Sequence, residues 1–252
     1  MGALVHEPGA EALAALWLPL FAASAAVAIG ALVQGAVGFG MALVAAPLLV
    51  MIRPELVPGP LLVNGIALTL LVARRERDSI DLLGVKWGLV GRLPGIVLGA
   101  IGLALIPEKS MSLLVGLSVL AGVALGFSGL RFTPSPRYLL VAGFVSGIFG
   151  TIASVGGPPI ALLYQHETGP RLRGTLAGYF IVGGVRSLAA LIWVGRFGRD
   201  ELTWTLLLLP ATALGFAGSS RLTAWVDAGR TRRAVLALTL AAGVAAVLHS
   251  LA

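Results

Sequence analysis

Apolar residues fall into eight runs, approximately Leu13 to Ile52, Leu56 to Ala73, Val85 to Ile106, Met111 to Leu130, Tyr138 to Gln165, Leu172 to Val194, Leu202 to Leu222 and Ala234 to Leu251. None shows the alternation of a half-buried strand, and their lengths match membrane helices, which need about 20 apolar residues to cross about 30 Å of hydrocarbon. The charged residues are confined almost entirely to the short connections. The first run is too long for one crossing, since forty residues of helix would reach about 60 Å. It must break, and Gln34-Gly35-Ala36-Val37-Gly38-Phe39-Gly40 is the place. The fifth run breaks too: glycines at 147, 150, 156 and 157 precede Pro158 and Pro159, which cannot continue an ordinary helix. An interrupted helix at membrane depth is tolerated only where its freed backbone faces protein or a watery cavity, so each break predicts a place where something polar binds.

The two broken runs are related. At an offset of 112, Gly35 falls on Gly147, Gly38 on Gly150 and Pro47 on Pro159; at 116, Leu93-Pro94, Gly99 and Gly102 fall on Leu209-Pro210, Gly215 and Gly218. The order is the same in both regions, which predicts an internal repeat, 13–130 and 138–251, within a single membrane domain spanning 1–252. The distribution of Lys and Arg tests how the breaks run. If each broken run crosses once, the loops divide eight against eight and no orientation follows. If each returns as a re-entrant hairpin, one side holds Arg74, Arg75, Arg77, Lys86, Arg131, Arg137, Arg171, Arg173, Arg221, Arg230, Arg232 and Arg233, against Arg53, Lys109, Arg196 and Arg199. The biased count favours hairpins, with both termini outside the cytoplasm. One hairpin plus three spans turns the second half upside down, so the expected fold is an all-α polytopic membrane protein of two inverted repeats, the first run of each broken into a hairpin. The two tips then meet near the midplane.

Composition agrees. Hydrophobic residues make up 58% of the 252, charged residues 12%, and the mean hydropathy is +0.97, which excludes an ordinary soluble domain and leaves no room for an extramembrane one. The net charge of +7 is spread over short loops rather than one soluble face, so it points to membrane orientation and not to nucleic acid. The N-terminus lacks the basic region of a signal peptide, and the first run reads as retained. Without cysteine there is no disulfide or thiolate chemistry, and His6, His166 and His249 have no metal-site spacing, so no metal or cofactor is expected.

Each tip leads into a new helix, about Met41 to Met51 and Pro158 to Gln165, whose unpaired N–H groups and partial positive charge favour an anion, with glycine allowing close approach. The candidate binding residues are Gln34, Gly35, Gly38 and Gly40 at the first tip, and Gly150, Thr151, Ser154, Gly156 and Gly157 at the second. Two arginines lie well inside apolar runs, away from their ends, and no acidic residue lies within any run. Arg92 is close enough to an interface to snorkel and reads first as structural, whereas Arg186 is deeper and joins the candidate site as a substrate contact or gate. The polar tip side chains equally suit helix-to-helix hydrogen bonds, as do Asn64, Tyr164, Tyr179 and Ser187.

Two halves that each open on a glycine-rich broken segment, GAVGFGMALVAAP and GIFGTIASVGGPP, in about 250 residues, resemble the sulfite exporter TauE/SafE family. The similarity runs over essentially the whole chain; the second motif is the more characteristic, and the first departs from the family's glycine-rich pattern at Met41 to Ala46. The resemblance implies a multi-pass protein of the bacterial inner membrane that transports small sulfur-containing or related organic anions such as sulfite, sulfonates or sulfoacetate. The expected activity is secondary transport by alternating access, with a passive anion channel or a subunit of a larger complex as alternatives. No GxxxxGK[ST] motif is present for ATP, and no protease-like set of Asp, Ser-His or zinc ligands lies within the runs, so no enzyme is expected. Besides the small anion and the lipid bilayer, a coupling ion and a second copy of the chain stand as candidate partners. The missing intramembrane carboxylate leaves Na⁺ coupling, uniport or protonation of the cargo itself.

Overall fold

In the computed structural model, residues 10–107, 110–128, 130, 132–227 and 243–248 are described, and among them the chain is helical without a strand. The helices are α1 (Ala10–Val37), α2 (Met41–Ile52), α3 (Gly59–Arg75), α4 (Leu82–Leu105), α5 (Met111–Phe127), α6 (Pro136–Ile152), α7 (Gly157–Leu163), α8 (Gly169–Trp193) and α9 (Arg199–Asp227), followed by a helical stretch over 243–248. The rest of the eighth apolar run, His6, His249, Lys109, Arg131, Arg230, Arg232 and Arg233 lie outside the described residues. Five stretches are long and apolar enough to cross a membrane: Trp17–Val37, Pro54–Arg75, Leu82–Leu105, Gly169–Trp193 and Arg199–Thr223. The protein is accordingly a multi-pass membrane protein. Local chemistry sets the boundaries. Proline opens α3, α6, α7 and α8, where its missing N–H has no acceptor to lose. The Asp81 carboxylate caps α4 by accepting the Gly84 N–H at 3.0 Å.

Helix packing rests on two seams of small residues. On α4, Gly91, Gly95 and Gly99 meet Leu140, Phe144 and Ile148 of α6 in the same order, so the two helices run parallel. Their backbones are close: a Cβ at Gly91, Gly95 or Gly143 would run into the carbonyl oxygens of Leu140, Phe144 and Gly88. The second seam repeats this between α1 and α9, where Gly215, Gly218 and Ser219 meet Ala28, Leu32 and Gly35, again in parallel order. Buried Asn64 joins α3 to α9, donating to the Pro60 and Thr205 carbonyls at 3.0 and 3.2 Å and accepting from the Thr212 hydroxyl at 2.7 Å. With every polar atom partnered, it is the kind of hydrogen-bonding group that membrane helices use to associate.

At both breaks the chain doubles back. Gly30 and Met41 touch, although a continuous helix would hold them about 16 Å apart. In the second half the Ser146 hydroxyl reaches the Gly156 carbonyl at 2.6 Å, which likewise requires a reversal between α6 and α7. The helix directions gather the C-termini of α3 and α9 and the N-termini of α4, α6 and α8 at one end of the bundle. Among the described residues that end carries Arg74, Arg75, Arg77, Lys86, Arg137, Arg171, Arg173 and Arg221, against Arg53, Arg196 and Arg199 at the other.

The seams make opposite predictions for two glycines of α4. Gly95→Leu forces atoms into the α6 backbone and is expected to destabilise by about 1–3 kcal/mol or more, the usual range for overpacking. A Cβ at Gly102 meets nothing within 4 Å, so Gly102→Ala is expected to leave stability unchanged or raised. Thermal unfolding of the detergent-purified variants, followed by size-exclusion chromatography, checks both.

Candidate functional site

The first break is built by glycine conformation and a borrowed cap. Gly38 and Gly40 have φ of 98° and 117°, in the left-handed region that favours glycine. Gly40 has no side chain with which to cap α2, and the Gln34 side chain takes over, its Oε1 accepting the Met41 N–H at 3.1 Å. Behind the turn, the carbonyls at the end of α1 are met by two guanidinium groups. Arg75 donates to Gly35, Arg173 donates to Ala36 at 3.4 Å, and Glu76 Oε1 holds both arginines, at 3.1 Å from Arg75 and 2.9 Å from Arg173. A helix end has carbonyls without intrahelical partners, and here two cations, buried Arg173 and partly buried Arg75, supply them.

The second break uses hydroxyls. Ser154 has φ of 60°, a left-handed conformation in a residue with a side chain, and its hydroxyl donates to the Pro58 carbonyl at 2.9 Å. Thr151 pairs with Ser187 at 3.1 Å. α7 then starts Gly157-Pro158-Pro159, and the two prolines delete N–H groups that a helix start would otherwise offer. The free backbone donors therefore belong mainly to α2, where Ala42 and Leu43 have no acceptor within the helix. Where α7 ends, the Tyr164 hydroxyl donates to Asp81 at 2.8 Å and so ties the second hairpin to the start of α4. Burial raises the Asp81 pKa, but the Gly84 N–H, the Tyr164 hydroxyl and Arg171 outweigh it and hold the carboxyl below its usual range.

The two breaks touch. A Cβ at Gly157 would lie 3.0 Å from the Cβ of Phe39, and a cavity of about 60 Å³ opens between the tips. Its walls are Gln34 and Phe39 to Leu43 from the first break, Gly150 and Ser154 to Pro158 from the second, one face of α3 from Leu61 to Thr69, Phe180 and Gly184 of α8, and Arg92 of α4. Arg92 is 2% exposed, and its Nε and Nη1 have no hydrogen-bond partner. Its guanidinium lies 5.0 Å from the centre of the Tyr179 ring, a cation–π arrangement, and fits notches left by two glycines. A Cβ at Gly183 would approach Nε to 2.6 Å, and one at Gly150 would approach Nη2 to 3.0 Å. No carboxylate is among the cavity-lining residues.

Of the ten candidate residues, Gln34, Gly40, Gly150, Ser154, Gly156 and Gly157 line this cavity. Gly35 instead packs on Ser219, Gly38 packs on Arg173, and Thr151 is occupied with Ser187. Arg186 is exposed on the outer face of α8, away from the cavity. Sequence reasoning ranked it above Arg92, and the structure places them the other way round. The signal for Arg92 was its setting between Gly91 and Gly95: close helix packing there leaves a long side chain no route but inward. No sequence pattern connects Glu76 and Arg173 to the end of α1.

No curated protein and no solved structure matches the chain. A protein-family model described as sulfite exporter TauE/SafE matches residues 22–246, a range that takes in both breaks, both seams and Arg92. With nearly its whole length matched, the chain belongs to the sulfite exporter TauE/SafE family of membrane transporters.

Proposed function

We propose that the chain is a secondary transporter of a small sulfur-containing or related organic oxyanion in the bacterial inner membrane, holding its cargo between the two helix breaks against Arg92. The observation that carries this reading is the buried guanidinium with two unpartnered nitrogens at a cavity without a carboxylate. A cation buried in a membrane bundle needs a counter-charge, and here the cargo supplies it. The Gln34 amide nitrogen and the first-turn N–H groups of α2 add neutral donors around the same space.

The inverted-repeat reading is part of the proposal. α1, α2, α3 and α4 correspond to α6, α7, α8 and α9, and the corresponding helices run in opposite directions. The glycine seams support it, because α4 with α6 and α9 with α1 are the same pairing exchanged between halves. The breaks act as re-entrant hairpins, the basic end faces the cytoplasm by the positive-inside rule, and alternating access consists of one repeat rocking against the other around the tips.

Thermal unfolding of the purified protein with sulfite, thiosulfate, sulfoacetate, taurine and short carboxylates tests the reading. A bound anion raises the midpoint, and saturation at a hundred times Kd corresponds to about 2.7 kcal/mol. Arg92→Gln is expected to abolish the anion-dependent rise while leaving the unliganded protein at least as stable, because the substitution removes an unpaired buried charge. Arg186→Gln leaves the rise intact. An unchanged response in Arg92→Gln removes the residue from the site. In proteoliposomes, Gly157→Val should lower anion flux by wedging a side chain between the tips, and wild-type flux would refute their role.

A further inference from the structure

We infer that the site takes its cargo as a singly charged anion, so that sulfite is bound and carried as hydrogensulfite with its proton attached. This rests on the reading of the cavity as an anion site and narrows it by charge and by proton.

The first support is a charge balance. Arg92 is the sole ionisable side chain among the residues that line the cavity, and it is 2% exposed. A monoanion cancels it. A dianion leaves a full surplus charge in a low-dielectric bundle, and the partial charge at the start of α2 does not balance that, with the Met41 N–H already given to Gln34. Among the described residues, the neighbouring elements supply no second cation. Behind the first break, Arg75 and Arg173 are engaged by Glu76 and by the carbonyls of α1. On α8, Tyr179 presents its ring to Arg92, Arg171 faces Asp81 and Glu167, and Arg186 is exposed. On α4, Asp81 and Lys86 belong to the basic end; α7 ends in Tyr164, bound to Asp81; among the described residues α6 carries no charge beyond Arg137 in its first turn.

The second support is a hydroxyl. Ser154 lines the cavity but donates its hydrogen to the Pro58 carbonyl at 2.9 Å, so it has only lone pairs left to offer a ligand. An acceptor beside an anion favours a ligand that brings a proton. The donors are Arg92 Nε and Nη1, and the Gln34 amide nitrogen, whose carbonyl oxygen is committed to Met41. Hydrogensulfite matches that division, with oxygens toward Arg92 and Gln34 and its proton toward Ser154. No Asp, Glu or His lines the cavity, so the pH dependence of binding follows the titration of the cargo.

Three probes of fixed or variable charge test this on the purified full-length protein, each at mildly acidic and mildly alkaline pH, by the ligand-dependent rise in unfolding midpoint. Methanesulfonate, a monoanion throughout, is expected to stabilise equally at both. Sulfate, a dianion throughout, is expected to bind roughly tenfold or more weakly at both. Sulfite is expected to bind at acidic pH and to lose affinity as pH rises, in proportion to the loss of its protonated form. Sulfite binding that is constant or stronger at alkaline pH, or sulfate that matches methanesulfonate, overturns the inference while leaving an anion site in place. If none of the three anions raises the midpoint at either pH, the anion site itself fails, and this inference fails with it.

Discussion

Placing a guanidinium inside a membrane bundle is costly, because low-dielectric surroundings cannot replace the hydration it loses, and the cost falls only when a counter-charge or several acceptors are in reach. Around Arg92 the protein supplies an aromatic face and two glycine notches that admit the group, but for Nε and Nη1 no acceptor. Much of the local architecture follows from this. At Gly183 a Cβ would occupy the guanidinium's own space, and at Gly150 it would crowd Nη2 at 3.0 Å. Gly91 and Gly95 bring α6 close enough that the side chain on the next face of α4 is directed at the breaks. The carboxylate that most buried arginines find is missing from the residues that line this cavity, and the proposed function assigns that place to the cargo.

The backbone has a similar problem, solved twice by different chemistry. Breaking a helix within hydrocarbon frees carbonyls and N–H groups that no water is present to satisfy. At the first break two arginines bridged by Glu76 take the carbonyls, and Gln34 takes one of the N–H groups. At the second, serine hydroxyls bind carbonyls, and consecutive prolines remove donors that would otherwise need partners. The tips are therefore unlike each other despite their related sequences.

The broad plan was legible because it depends on patterns that are local in the chain. An over-long apolar run must break, and the helices stop at Gly38 to Gly40 and at Ala153 to Gly156, within the glycine-rich stretches that predict the breaks. The seams were partly legible as matched glycines at 99 and 215, and at 102 and 218, though only coordinates show that Gly99 packs while Gly102 meets nothing. The site was harder to read. Arg186 is nearer the middle of its run than Arg92, and depth along the chain was the wrong measure, because the face of the helix decides whether a side chain points at a cavity or away from the bundle. Thr151 and Gly35 have the right composition for a tip and face their neighbouring helices instead. The Arg75, Glu76 and Arg173 cluster joins the C-terminal end of α3 to the start of α8, and no local pattern in either helix reveals it.

If the halves are the inverted repeat proposed above, the two glycine seams also constrain how such a chain could have arisen. Each seam joins a helix of the first half to a helix of the second, α1 with α9 and α4 with α6, and neither half contains both sides of either one. A half-length ancestor would have exposed both faces to lipid, with backbone-deep grooves unfilled. Two copies inserted in opposite orientations close both seams at once, whereas two copies in the same orientation close neither. On that proposal, the functional unit before fusion would have been an antiparallel pair of identical chains, and the topology of each copy would have had to be evenly divided between the two orientations.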